Sequence, residues 1–172
     1  NAFYNAALDV LSYGIAGGNY RPFCAAQDIV THEFTHGFTA HTSGLIYENQ
    51  AGAMNESLSD VFGYFVEAEY QDGGDWTEGE DIRINGGASR SFSNPPTYGD
   101  PDNINHPYFV PYTSNPTFGN DNGGVHSNSG ITNKILYLVV QGDVHYDILV
   151  SPLDDDINIS RNIASDIWFN WN

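Results

Sequence analysis

The sequence predicts an α+β fold in which helices dominate, and three observations lead to that prediction. Apolar residues recur at helical spacing in 27–41 and 51–70, so two long helices are expected in the first half of the chain. Residues 130–142 form a further apolar helix, and 158–171 form a terminal one. Residues 71–125 are rich in Gly, Pro, Asn and Asp and show little periodicity, which predicts long loops.

The remaining elements precede and join these helices. Residues 3–13 are expected to be an extended or mixed segment, which the glycine-rich stretch 14–18 ends in a turn. Asp28 stands near the N-terminal end of the first long helix, where the helix dipole favours a negative charge. Residues 44–49 form a bend between the two long helices. Since no repeat or low-complexity linker interrupts the chain, we expect a single domain over residues 1–172.

The composition indicates a packed protein with an unusual charge. Of the 172 residues, 40% are hydrophobic, which supplies a real core and argues against disorder. The net charge of −17 excludes nucleic acid and anionic membranes as electrostatically favoured partners. Two origins of this charge stay open: carboxylates gathered to bind Ca²⁺, and an acidic surface typical of secreted, salt-tolerant or cold-living proteins. The single cysteine, Cys24, allows no intramolecular disulfide and is interpreted as a small buried side chain.

A metal-binding pattern lies in the first long helix. His32 and His36 are four residues apart, so on a helix they are rotated by only about 40° and both can reach one ion. Glu33 stands beside them as a candidate base, and Glu56 in the second long helix supplies a third ligand. Asp60, one turn after Glu56, can accept the other ring N–H of a liganding histidine. The pattern predicts a catalytic zinc site with an open position for water.

An ordinary interpretation of the second helix is also available. Glu56, Asp60 and Glu67 share one stripe of that helix and could be the solvated side of an amphipathic element. The histidine pattern in the preceding helix makes the zinc interpretation the better one.

Over nearly its whole length the chain resembles the thermolysin-like family of zinc metalloendopeptidases. The matching runs, in order along the chain, are 1–5, 28–36, 44–47, 52–63, 75–76, 90–91, 98–101 and 122–130. Metzincins, a rival zinc family, need Gly at position 39 and His at position 42, where this chain has Thr39 and Thr42, and His41 lies out of register. The resemblance implies a zincin-like core with an active-site helix, a second ligand helix and long calcium-stabilised loops.

The family resemblance also implies a reaction. Peptide or protein substrates would be hydrolysed by metal-activated water, with Glu33 as the base and one zinc ion on His32, His36 and Glu56. Tyr47 and His126, the latter on a Gly-Gly loop, would donate hydrogen bonds to the oxyanion that forms at the attacked carbonyl.

Several positions match substrate-binding residues of the family. Arg90 would hold a substrate carbonyl, Asn1 would bind substrate backbone through its side chain, and Ala2 would pair with the peptide as an added strand. The pocket for the residue after the cleaved bond would favour large hydrophobic side chains. The residues expected to line that pocket are Phe23, Ile29 and Ile82. Ser89 stands where relatives usually carry leucine, so the pocket is expected to be wider or more polar than theirs.

A calcium cluster is implied by the same resemblance. Its expected ligands are Asp28, Glu67, Asp75 and Glu80, hard oxygen donors of the kind Ca²⁺ prefers. We expect one calcium ion there. A second ion is an open alternative, for which Gly73 would offer a main-chain oxygen. Thr77 follows Trp76 where close relatives have glutamate.

The resemblance leaves the extent of the protein open. Residue 1 corresponds to a strand about a third of the way into the family's catalytic region, so most of the β-rich N-terminal lobe is expected to be absent. A second chain would then complete the cleft, or the protein is a minimal or processed enzyme. No apolar run is long enough to span a bilayer, and we expect mature material of a secreted, extracellular enzyme. Alternatives are a catalytically incomplete metal-binding fragment or subunit, and a calcium-stabilised binding protein without zinc.

Overall fold

Four helices and three short antiparallel strand pairs make up the fold. A computed structural model describes residues 1–71 and 74–170. The helices are α1 (Gln27–His41), α2 (Asn49–Tyr70), α3 (Asp121–Gln141) and α4 (Ile157–Phe169). The strands are β1 (Ala2–Asn5), β2 (Val10–Tyr13), β3 (Thr77–Glu78), β4 (Arg90–Ser91), β5 (Asp143–His145) and β6 (Ile148–Val150). The prediction of a mainly helical α+β fold is therefore confirmed.

Helix α2 is the centre of the molecule. It packs against α1 on one side and α3 on another, and α4 covers the far end of both α2 and α3. The buried side chains of the main core come from these helices and from Phe92. They are Leu58, Val61, Tyr64, Ala68, Phe92, Leu136, Val140, Ala164 and Trp168. Burial of these side chains removes apolar area from water and fixes the helices that support the site.

Close contact between α1 and α2 depends on Gly63. A Cβ atom added to this residue would lie 2.9 Å from the main-chain oxygen of Asp28, closer than packed atoms approach. The absence of a side chain at Gly63 therefore lets the two helices touch. Carboxylates on α2 consequently lie beside the histidines and Asp28 of α1.

Helix α3 begins nine residues before the predicted helix of residues 130–142. Asn122, Gly123 and Gly124 all have positive φ, so the first turn is irregular, and regular helix follows from Val125. His126 consequently lies on the first regular turn of a helix, and its prediction on a loop was wrong. The reason is that residues 121–124 all have positive φ and lie outside regular helix, as a glycine-rich loop would, while regular helix starts directly after them.

The segment predicted as long loops contains the paired strands β3 and β4. Glu78 and Arg90 are directly opposite in their antiparallel register, as are Thr77 and Ser91. Two residues in each strand are too few to produce a periodic sequence signal, which explains why the pairing was not predicted. The extended segment 3–13 is the β1–β2 hairpin.

Two further features concern exposure. Cys24 lies in a short 3₁₀ turn, Phe23–Ala25, and is exposed, so the prediction that its side chain is buried was wrong. The turn lies at the surface before α1, where the small Cys24 side chain does not pack against the core. Among the described helices, none is long and apolar enough to cross a membrane.

Candidate metal centre and active site

Two histidines of α1 and one glutamate of α2 converge at the junction of these helices. The Nε2 atoms of His32 and His36 are 2.9 Å apart. The Glu56 carboxylate lies 3.5 Å from Nε2 of His32 and 3.3 Å from Nε2 of His36. All three ligand atoms fall within 4.8 Å of one another. Two imidazole nitrogens and a carboxylate are a donor set that suits zinc with one open position, so the residues present fit such an ion.

The other ring nitrogen of each histidine lies beside oxygen atoms. Nδ1 of His36 lies 2.7 Å from Oδ1 of Asn55. Nδ1 of His32 makes ion-pair contacts with Asp60 at 2.8 Å and Glu78 at 3.0 Å, although neither oxygen is aligned for a hydrogen bond. An acceptor at Nδ1 places the proton there and leaves the Nε2 lone pair free for a metal. Sequence reasoning proposed this role for Asp60 but missed Asn55 and Glu78.

Electrostatics at this centre favour a bound cation. Burial opposes ionisation of Glu56, but its hydrogen bond with His36 and the charges around it hold its pKa well below the usual range. Burial also opposes protonation of His32, yet the carboxylates of Glu78, Asp60 and Glu56 raise its pKa well above the usual value. In the metal-free site a proton on His32 therefore competes with a metal for the same histidine.

Glu33 points into the same space from α1. It is 7% exposed and lines the cavity together with His32. Burial raises its pKa, while the neighbouring histidines His32 and His36 lower it in part. A carboxylate of raised basicity next to a metal-binding set is suited to accept a proton from water.

Tyr47 and His126 lie together at the edge of the centre. The Tyr47 hydroxyl is hydrogen-bonded to Glu56 and lies 3.2 Å from Nε2 of His126. The carboxylate of Asp121 holds the His126 ring through Nδ1 and accepts the His126 main-chain N–H at 2.9 Å. Asp121 was missed in the sequence because the kinked start of α3 brings it near His126. The Tyr47 hydroxyl can donate a hydrogen bond to an oxygen at the centre, and the His126 ring can do so through Nε2 when both of its nitrogens carry a proton.

Arg90 lies among three carboxylates. Its guanidinium donates to Asp60 at 3.1 Å, to Glu56 at 3.1 Å and to Glu78 on the opposite strand. The attraction of Asp60, Glu78 and Glu56 outweighs the desolvation and holds the pKa of Arg90 well above its usual value. Arg90 neutralises part of the buried negative charge and fixes the strands β3 and β4 against α2.

A cavity of about 320 Å³ opens beside this centre. Its lining includes most of the residues predicted to bind substrate, namely Asn1, Ala2, Phe23, Ile29 and Arg90, and also Glu78, Gly79, Ser89 and Asp100. Ile82 does not line it, which corrects the prediction for that residue. The Ile82 side chain is 1% exposed because it packs behind the cavity in a small cluster with Ala26 and Ile29.

A second acidic group lies at the other end of the α1–α2 contact. Asp28, Glu67 and Glu80 bring one carboxylate oxygen each within 4.8 Å of one another. The structure does not bring Asp75 into this group, contrary to the prediction. The exposed Asp75 carboxylate lies beside the group and accepts from the Thr77 main-chain N–H at 2.8 Å and from its hydroxyl at 2.6 Å, and the same hydroxyl lies 2.9 Å from Glu80. The predicted contribution of Gly73 lies outside the described residues.

These carboxylates repel one another in a buried place. Burial and the nearby Glu78 raise the pKa of Asp28 to about 7, and burial together with Glu80 and Asp28 raises that of Glu67 to about 8. Burial raises the pKa of Glu80 as well. Three oxygens whose charges lack a neighbouring cation among the described residues suit a hard ion such as Ca²⁺.

Fold and donor set together define a helical metal-binding protein with the ligand arrangement of a zinc peptidase. The thermolysin metallopeptidase alpha-helical domain matches residues 43–172, and the thermolysin metallopeptidase catalytic domain matches residues 1–40. The chain therefore belongs to the thermolysin metallopeptidase family.

Individual relatives agree with that assignment. A thermolysin of Alicyclobacillus acidocaldarius is 45% identical over 159 residues, which cover 91% of this chain and 28% of the relative. A bacillolysin of Bacillus amyloliquefaciens is 48% identical over 138 residues, covering 78% of this chain and 25% of the relative. The solved precursor of protealysin, a metalloproteinase from Serratia proteamaculans, superposes with a TM-score of 0.66 at 35% identity, covering 80% of this chain and 45% of that one. The chain thus spans about a quarter of the length of these curated relatives.

Proposed function

We propose that the protein is a secreted zinc endopeptidase that hydrolyses peptide bonds in peptides or proteins. The observation that supports this most directly is the convergence of His32, His36 and Glu56 next to the carboxylate of Glu33. Membership of a metallopeptidase family supports the reaction class.

The roles of the residues follow from their positions. A bound zinc ion would supply Lewis acidity, which lowers the pKa of water and polarises the substrate carbonyl. Glu33 takes a proton from the attacking water and later delivers it to the leaving amine. Tyr47 and His126 donate hydrogen bonds to the oxygen that becomes negative at the attacked carbon. Asp121 keeps the His126 ring oriented for that contact.

Substrate binding is assigned to the cavity beside the centre. Asn1, which precedes β1, and Ala2, the first residue of β1, would bind the substrate backbone, and Arg90 would hold a carbonyl. The side chain that follows the cleaved bond would pack its apolar surface against Phe23 and Ile29, which favours residues with a large hydrophobic part.

One calcium ion is proposed at Asp28, Glu67 and Glu80. An extracellular setting accords with such a site, since modules outside the cell bind calcium at about 10⁻⁴ to 10⁻³ M. The acidic surface accords with a secreted protein in the same way.

Hydrolysis by the purified chain tests this proposal. A peptide with a large apolar residue after the expected cleavage point is incubated with the chain in calcium buffer, with and without a zinc-selective chelator, and the intact mass of the chain is recorded. Cleavage that stops with the chelator and returns with added zinc is expected. Bound zinc without any cleavage would favour the alternative, a fragment or subunit that needs a partner chain to complete the cleft.

A further inference from the structure

Glu78 is a buried carboxylate on the lining of the substrate cavity. It is 3% exposed and lies on β3 directly opposite Arg90 of β4. Its main chain is fixed on both sides, since the Ser89 N–H donates to the Glu78 carbonyl at 2.7 Å and the Gly79 N–H donates to the Asp28 carboxylate. The Glu78 carboxylate therefore has a defined place at the cavity.

The existing contacts of Glu78 leave it able to accept more hydrogen bonds. A carboxylate offers about four lone-pair positions; Arg90 donates to one oxygen of Glu78, and Nδ1 of His32 lies 3.0 Å from the other. The Glu78 side chain lines the cavity and is 4% exposed, so a donor that enters there meets only the exposed edge of the carboxylate. Ser89, on the same lining, offers a small hydroxyl and leaves room for a long side chain.

The charge around the cavity favours a cation. The carboxylates of Glu33, Glu56, Asp60, Glu78 and Asp100 line the cavity or contact residues that do. Burial raises the pKa of Asp100 to about 7, so this carboxylate is only partly charged near neutral pH. The guanidinium of Arg90 and the two charges of a bound zinc ion stand against the other four carboxylates, which leaves a small excess of negative charge. A site with that balance attracts a positive substrate group and steers its approach.

The same cavity has an apolar part. Phe23 and Ile29 line it, and Gly79 lies between Ile29 and Ser89, where a Cβ atom would be 2.8 Å from the Ser89 hydroxyl. A side chain with an apolar stem and a positive tip would use both parts, because lysine packs its methylenes and presents its charge at the end.

We propose that Glu78 determines specificity, so that the residue after the cleaved bond is preferentially lysine or arginine over an apolar side chain of the same length. This inference rests on the proposed peptidase function and names the substrate class of that site. Glu78 acts here on the substrate side chain, while Glu33 remains the base.

The test compares two fluorogenic peptides that differ at one position. The residue after the expected cleavage point is lysine in one and norleucine, which has the same chain length without the amine, in the other. Mass spectrometry verifies the cut. We measure kcat/KM for both peptides with the wild type, Glu78→Gln, Glu78→Asp and the control Glu69→Gln, which removes one acid from an exposed site outside this cavity.

The wild type should favour the lysine peptide by about tenfold, the value of one charge-assisted hydrogen bond. Glu78→Gln should abolish most of this ratio, Glu78→Asp should retain part of it, and Glu69→Gln should leave it unchanged. The ratio is an internal comparison, so a general loss of activity or stability does not move it.

Two results would overturn the inference alone: a wild type that cleaves both peptides but favours norleucine, or a lysine preference that survives in Glu78→Gln. The first of these results is measured on the wild type, so the inference can be overturned even if Glu78→Gln folds poorly. A zinc-loaded wild type that cleaves neither peptide would remove the proposed function and this inference with it.

Discussion

Two buried acidic clusters lie along the same contact between α1 and α2, and they handle their charge differently. In the first, Glu56, Asp60 and Glu78 surround Arg90 and approach His32. In the second, Asp28, Glu67 and Glu80 face one another. The first cluster is partly neutralised by the protein itself, whereas the second has no cation of the described chain within it.

The pKa values reflect this difference. Burial opposes ionisation of Glu78, but Arg90 and His32 outweigh it and lower its pKa. In the second cluster, burial and the charges of Glu78 and Glu80 raise the pKa of Asp28 to about 7, and burial with the charges of Glu80 and Asp28 raises that of Glu67 to about 8. The internal guanidinium keeps Glu56 and Glu78 ionised for use as a ligand or an acceptor, whereas burial still raises the pKa of Asp60 beside the same guanidinium to about 6. Without one, the carboxylates need an added ion or protons.

The largest expected effect is on kcat and comes from Glu33, a carboxylate near the first cluster that Arg90 does not contact. Glu33→Gln should lower kcat by about 10³-fold, because it removes the base and leaves the zinc ligands in place. Zinc content, measured by atomic emission, should stay at the wild-type level. A fully active variant would show that Glu33 is not the base, and Glu69→Gln controls for loss of one negative charge.

Removing the internal cation should have the next largest effect. Arg90→Met leaves Glu56, Asp60 and Glu78 buried without their guanidinium, so the free energy of unfolding should fall by about 3–5 kcal/mol. Urea unfolding in calcium buffer without zinc measures this change. Arg90→Lys keeps the charge but loses the forked geometry of the guanidinium. Its free energy of unfolding should therefore lie between those of the wild type and Arg90→Met. Added zinc should restore part of the stability of Arg90→Met, because it brings positive charge to the same carboxylates. Equal midpoints for Arg90→Met and wild type would mean that Arg90 does not stabilise the cluster.

The second cluster should respond to pH and calcium. Carboxylates with raised pKa bind protons more tightly in the folded than in the unfolded chain, so the stability they contribute is present at low pH and is lost as pH rises. Between about pH 4 and pH 8, the free energy of unfolding of the calcium-free protein should therefore fall by several kcal/mol, at about 1.4 kcal/mol for each unit of pKa shift. Calcium neutralises these oxygens, so the gain in Tm on adding calcium should grow over the same range.

Glu67→Gln separates this linkage from general acid effects. The variant removes one of the three repelling charges, so its calcium-free Tm should depend less on pH, and its Tm gain with calcium should be smaller. Differential scanning fluorimetry at several pH values, with and without calcium, measures both. A calcium effect that is independent of pH, or that is unchanged in Glu67→Gln, would contradict calcium binding at this cluster.

The sequence predicts the first cluster better than the second. The reason is that most residues of the first cluster come in pairs close together in the chain, whereas those of the second come from distant segments. His32 with His36, and Glu56 with Asp60, are local pairs at helical spacing, so their shared faces follow from helix geometry alone. Helix α1 has the predicted bounds, and α2 begins two residues before its predicted start. Residues that arrive from irregular segments are harder to place.

Glu78, Asp75 and Ile82 illustrate that difficulty. All three come from the loop-rich segment, where no periodicity tells which side chains turn inward. Glu78 reaches the centre because two residues of β3 pair with β4, whereas Asp75 stays at the edge of the second cluster, where the Thr77 hydroxyl lies between it and Glu80. A sequence of acids in such a segment shows that carboxylates are available, but not which metal cluster, cavity or surface they join.

The smallest effect expected is also the one that separates the two acceptors of His32. Asp60 and Glu78 both lie within hydrogen-bonding distance of Nδ1 of His32, at 2.8 Å and 3.0 Å. Asp60→Asn should weaken zinc binding by about tenfold, because Glu78 can still orient the His32 ring. Loss of a group that orients a metal-binding histidine typically weakens metal affinity by about 10- to 100-fold, so this is the lower end of that range.

The double variant Asp60→Asn with Glu78→Gln removes both carboxylates. It should therefore weaken zinc binding by more than the product of the two single effects. Competition with a chromogenic chelator measures the zinc affinity of all four proteins, with circular dichroism to compare their folding. If the double variant loses only the product of the single effects, the two carboxylates act independently. Neither carboxylate would then compensate for loss of the other at His32.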